Sequence, residues 1–229
     1  MKRFWKDAKV VATGGGWGIE LDGKPLRTPG KLPLVVPGEA LAQSIAAEWH
    51  GAPETVDPRS MAMTGLANAA IERVATDTAG FAAGLARYGE ADLTCYRAEG
   101  PDKLVERQAA AWDPLLAWAR RRFAVDFAMT QGISHVPQPA GTAGQLSHAV
   151  ESMDTFQLAA LSPLVTIGGS LIAALAVAEG AVDPEAAWEA VSVDERWQIE
   201  TWGDDAEAVA ALEARKRDFL AAARFLALL

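Results

Sequence analysis

The spacing of apolar residues changes once along this chain, near Pro37, and that change points to the fold class. In GGGWGIELDGKPLRTPGKLPLVV (residues 14–36), Trp17, Ile19 and Leu21 alternate with Gly18, Glu20 and Asp22, the period of a strand with one apolar face. Asp22-Gly23 then accepts the positive φ of a tight hairpin turn. Leu26 and Thr28 carry the alternation on to Pro29-Gly30. Strand patterns also cover residues 4–12 and 32–36. The glycines read as a hairpin and not as a phosphate cradle. No helix starts after Gly18, and neither Gly-Lys-Ser/Thr nor GxGxxG follows, so nothing aims a row of N–H groups and a helix end at an anion.

Beyond Pro37 the period is helical. Leu41, Ile45 and Trp49 recur every four residues along one face of residues 39–49. The loop GAPETVDPRS (residues 51–60) follows, with two prolines, and is the best linker in the chain. Met63, Leu66, Ala70, Ile71 and Val74 make the next stripe, and Phe81, Leu85 and Tyr88 the one after. Residues 102–123 form a longer helical pattern in which Asp113-Pro114 opens a new first turn or kinks the helix. Residues 125–142 are the main irregular connection.

Helix punctuation is clear near the end. Asp183-Pro184 starts one helix; Ser192 with Glu195, and Asp204 with Glu207, have capping-box spacing, with Gly203 between them. In the last helix Val209, Leu212, Phe219, Leu220 and Phe225 oppose Arg215, Lys216 and Arg217. The expected fold class is α+β: a small N-terminal antiparallel β domain with a helix (residues 1–58), then a larger, mostly α-helical, orthogonal-bundle domain (residues 59–229). Residues 155–178 carry no charge and are long enough to cross a bilayer. Pro163 and Gly168-Gly169 interrupt them and acidic residues flank them, so they read as buried helices, with no membrane insertion.

Charge and reactive residues narrow the function. A net charge of -9 over 229 residues argues against general nucleic-acid binding, which needs a basic surface. The single cysteine, Cys95, can form neither an internal disulfide nor a CxxC pair, which suits a reducing compartment. Asp7 and Lys9 fall where a signal peptide needs an apolar run, so a cytoplasmic location is expected. His50, His135 and His148 are far apart and lack metal-ligand spacing. No GxSxG elbow is present, and the acidic pairs Asp194-Glu195 and Asp204-Asp205 fall at helix starts, where the macrodipole favours negative charge. Cys95 acts as a nucleophile only if a base and a pKa-lowering environment surround it; a buried structural thiol is the default. The eight tryptophans read first as core residues and second as anchors for a protein partner.

Taken in order, RFW, LDGKPLRTP, EALAQSIAAEW, DLTCYRAEGPDKLVERQAAAWDPLLAW and QIETWG resemble the assembly chaperones of F1-ATPase that are specific for its alpha subunit. The resemblance extends over nearly the whole chain. It implies a non-catalytic protein that binds the free alpha subunit and shields its subunit interface until the beta subunit replaces it. It implies no cofactor and no metal, a monomer, and a bacterial-type cytoplasmic member with relatives in the mitochondrial matrix. Trp49 falls on the family's EW position and Trp202-Gly203 on its WG position. With Glu200, Asp204, Asp205 and Glu207 they make the expected client-binding set. Two alternatives stay open, an enzyme with a carboxylate or Cys95 site in a cleft between the two domains, and a purely structural subunit that stays in the finished ATP synthase.

Overall fold

The computed structural model describes residues 2–203 and 205–229. Its sheet is built on two glycine-dependent turns. Strand β1 (Ala8–Thr13) pairs antiparallel with β2 (Gly16–Leu21), Ala8 opposite Leu21 and Thr13 opposite Gly16. Gly16 has φ +136, and a Cβ there would collide with the Val36 carbonyl oxygen, so only glycine fits. The second turn, Asp22 (φ 50) and Gly23 (φ 78), leads into β3 (Lys24–Pro25), with Leu21 opposite Lys24. The Asp22 carboxylate also accepts the N–H groups of Lys6 and Asp7, and these hold its pKa below the usual carboxylate value. Strand β4 (Val35–Val36) pairs antiparallel with β2, Trp17 opposite Val36.

Two strands are shorter than their patterns predict. The first begins at Ala8, not at residue 4, because Trp5 turns inward and its Nε1–H donates to the Trp49 carbonyl at 2.9 Å. The last is reduced to Val35–Val36, since Pro33 has no N–H to give to a ladder.

Helix α1 (Glu39–His50) lies against β1, β2 and β4 and buries Leu41, Ala42, Ile45, Ala46 and Trp49. Helix α2 (Ala62–Glu72) has no cap from its own N-terminal side chains. Its cap comes from α1. The Glu48 carboxylate accepts the N–H groups of Met63 (2.8 Å) and Thr64 (2.9 Å) and the Thr64 hydroxyl (2.8 Å), while Trp49 Nε1–H donates to Thr64 Oγ1 (3.1 Å). Orphan helix donors are thus satisfied across the loop at 51–60.

The chain divides into two compact units, Met1–Thr78 with Asp154–Ala160 and Arg224–Leu229, and Ala79–Met153 with Leu161–Ala223. The division at 78/79 differs from the expected one at 58/59, because Glu48 and Trp49 bind α2 to the strand unit.

The second unit is helical apart from one short ladder. Helix α3 (Thr78–Ala86) leads through a 3-10 turn at Leu93–Cys95 to β5 (Tyr96–Arg97). Helix α4 (Asp102–Phe123) runs unbroken through Pro114. Pro114 and Asp113 face solvent, so the hydrogen bond that proline deletes leaves no buried carbonyl unsatisfied. Strand β6 (Thr130–Gln131) pairs parallel with β5, and α5 (Ala140–Glu151) follows. The charge-free segment forms α6 (Thr155–Gly168) and α7 (Leu171–Ala178), separated at Gly169 (φ +67). No helix among the described residues is long and apolar enough to cross a membrane. Helix α8 (Pro184–Val191) is capped by Asp183, as its sequence predicts. Helix α9 (Val193–Trp202) is not capped by Ser192, whose hydroxyl donates back to the Trp188 carbonyl at 2.8 Å. At φ -104, ψ 14 Ser192 directly follows α8, and the carbonyl four residues back is its nearest acceptor. Helix α10 (Ala206–Ala227) ends the fold, giving the α+β class with a larger helical part.

Replacing Glu48 by alanine removes the cap of α2 without touching the sheet. Urea unfolding of Glu48→Ala is expected to show a loss of about 1 kcal/mol, the usual magnitude for a lost N-terminal cap.

Candidate functional site

Most of the predicted site residues gather where α9 turns into α10. Gly203 ends α9 at φ 94, its N–H on the Ile199 carbonyl at 3.1 Å. Two residues later the Asp205 carboxylate accepts the N–H of Glu207 at 3.0 Å and opens α10. Trp202, the last residue of α9, is 78% exposed. Asp205 and Glu207 are exposed and have no ion-pair partner among the described residues. Asp204 lies outside the described residues.

A groove of about 420 Å³ opens between the two helices. Ile199 and Trp202 line it from α9, and Ala208, Ala211 and Leu212 from α10. Its far end is closed by Arg215, whose guanidinium donates to Glu195 at 3.1 Å. Ile199, Ala208 and Ala211 were not singled out in the sequence, although the signal is there. Glu195, Ile199 and Trp202, like Ala208, Ala211, Leu212 and Arg215, follow the i, i+3, i+4, i+7 spacing of a single helix face.

Glu200 faces elsewhere. It accepts from Arg107 of α4 at 2.6 Å, and the Arg107 guanidinium lies 4.9 Å from the Trp197 ring centroid. Both Arg107 and Glu200 line a second groove, about 780 Å³, with Ala110, Ala111 and Pro114 of α4 and Ala190 of α8. Asp194, at the start of α9, is half covered. Gln108 Nε2–H donates to its carboxylate at 2.7 Å, and burial outweighs that bond to raise its pKa.

Trp49 belongs to the other unit and is buried there. Its ring packs against that of Trp5, centroids 4.8 Å apart and planes tilted by 56°, and its indole N–H is committed to Thr64. It supports its unit from inside.

The reactive candidates are confined. Cys95 is buried, and desolvation, followed by the nearby Asp92 charge, pushes its thiol up to about 12. The thiolate, which is the nucleophile, is therefore disfavoured, the behaviour of a buried thiol. Asp92 is fully buried and accepts from the Thr94 N–H and hydroxyl, the Ser170 hydroxyl and the Ile172 N–H. Burial raises its pKa in spite of these four donors. His135 Nδ1 is 3.1 Å from the Tyr96 hydroxyl. Among the described residues no group of three or more His, Cys, Asp or Glu is placed to hold a metal ion.

Trp202 is thus exposed beside a groove with an apolar lining, and Asp205 in that lining has no ion-pair partner among the described residues. Known proteins share this sequence and this fold. Residues 2–120 match the sequence profile described as ATP12 chaperone protein. The crystal structure of Atp12 from Paracoccus denitrificans is 44% identical, with a TM-score of 0.94, covering 99% of this chain and 97% of that one. A protein of known structure from Agrobacterium tumefaciens is 40% identical at TM-score 0.95, covering 99% of this chain and 85% of that one. The mitochondrial protein atp12 of Schizosaccharomyces pombe is 28% identical over 220 residues, 88% of this chain and 74% of that protein. This chain belongs to the ATP12 chaperone family.

The raised thiol pKa has a direct readout. With iodoacetamide at about pH 8, near the free-cysteine pKa, folded protein is expected to stay unmodified while urea-unfolded chain is alkylated completely, as followed by intact mass. Alkylation of the folded protein at the unfolded rate would mean that Cys95 is neither buried nor suppressed.

Proposed function

We propose that this protein is an assembly chaperone of F1-ATPase that binds the free alpha subunit and shields its subunit interface until the beta subunit takes that place. Family membership supports the chaperone class, and the sequence motifs support the alpha subunit as client. The observation that carries the reading to a site is the α9–α10 corner, where Trp202 is 78% exposed beside an apolar groove and unpaired acidic side chains. An unassembled subunit exposes an apolar interface that aggregates; an acidic binder that covers it reversibly prevents this without turnover. In this reading Trp202, Gly203, Asp204, Asp205 and Glu207 meet the client, Glu200 borders the neighbouring groove, and Trp49 holds its own unit in shape. The protein works as a cytoplasmic monomer, without a cofactor.

The test is capture of separately produced alpha and beta subunits on the immobilised protein, together with light scattering from alpha alone. Selective capture of alpha, and suppression of its aggregation near equimolar ratio, are expected. Charge reversal at Asp204, Asp205 and Glu207 together is expected to weaken capture roughly tenfold, mainly through slower association. Capture of neither subunit by folded protein sinks the reading; undiminished capture by the reversed variant removes the acidic residues from the interface.

A further inference from the structure

We infer that the α9–α10 groove receives an apolar side chain of the client, presented on a segment that carries lysine or arginine beside it. This rests on the chaperone reading for the identity of the client and on the groove itself for its chemistry. The floor is apolar: Ile199, Ala208, Ala211 and Leu212 line it. Ala208 and Ala211 lie one turn apart on α10, and their small side chains leave a notch where longer ones would fill it. At about 420 Å³, the groove is near the lower end of ligand pockets, which run from about 300 to 1,000 Å³. That suits an anchor side chain and its neighbours, not a whole helix.

The charge of the rim selects the neighbours. The lining cation, Arg215, is already engaged by Glu195 at 3.1 Å. Asp205, the remaining charged residue of the lining, has no cationic partner among the described residues. The field left for a ligand is therefore negative. Trp202 adds to this, because the face of an exposed indole attracts ammonium and guanidinium groups. An apolar anchor flanked by carboxylates would meet repulsion at the same rim.

The experiment follows the Trp202 indole N–H by NMR in tryptophan-labelled protein, with Trp202→Phe identifying the resonance. Blocked Lys-Leu-Lys and Glu-Leu-Glu peptides are titrated separately, and alpha-subunit capture is measured on the same preparations. The Trp202 signal is expected to move with Lys-Leu-Lys and to stay in place with Glu-Leu-Glu. Ala211→Trp, which fills the notch from an exposed helix position, is expected to abolish the peptide shift and to reduce alpha capture at least tenfold while the melting temperature holds. Ala208→Trp serves if that variant does not fold. No Trp202 shift with Lys-Leu-Lys, an equal shift with Glu-Leu-Glu, or full alpha capture by the filled-groove variant overturns the inference. If wild-type protein captures no alpha subunit, the chaperone reading fails instead, and the peptide titration still decides the chemistry of the groove.

Discussion

The helical unit depends on one buried carboxylate. Asp92 has no exposed surface, and four donors converge on it, two from Thr94 in the adjoining 3-10 turn and two from Ser170 and Ile172 at the start of α7. A charge held in an apolar interior is costly unless its acceptor sites are filled. Here they are filled by two hydroxyls, of Thr94 and Ser170, and by the N–H groups of Thr94 and Ile172, which a helix start must satisfy in any case. The consequence is positional. Helix α7, buried on every side from Leu171 to Val177, is fixed in place, and α4 and α8 pack against it. Trp112 of α4 then donates its indole N–H to the Ala190 carbonyl of α8 at 2.7 Å. The α8–α9–α10 series that carries the groove continues from that joint.

Three tryptophans follow the same logic, and Trp202 departs from it. Trp5, Trp49 and Trp112 each bury a large ring and give the indole N–H to an oxygen inside the protein. This is how an amphipathic aromatic is used in a core. Trp202 has the same side chain in the opposite setting, open to solvent at the end of a helix.

What could be read from the sequence was local. The hairpin at Asp22-Gly23, the α1 face of Leu41, Ile45 and Trp49, and the Asp183 cap each depend on neighbours within a turn or two, and each appears in the structure. What could not be read was set at long range. Ser192 has the spacing of a cap, but the end of α8 supplies a nearer acceptor. Pro114 signals a break, but the solvent side of α4 tolerates a missing hydrogen bond. Trp49 matches a family motif, but a motif does not reveal whether a ring points inward or outward. The Trp202 corner was legible as a motif, whereas the groove beneath it required two helices to be laid side by side.

The composition of the first unit bears on how the protein is made. Its sheet and first two helices are finished within the first third of the chain, yet the unit also contains residues 154–160 and 224–229. Arg224 reaches the Ser44 hydroxyl at 3.3 Å, and Gly38 lies close to the Leu228 carbonyl. Contacts of the oldest part of the molecule are therefore completed only by some of the newest.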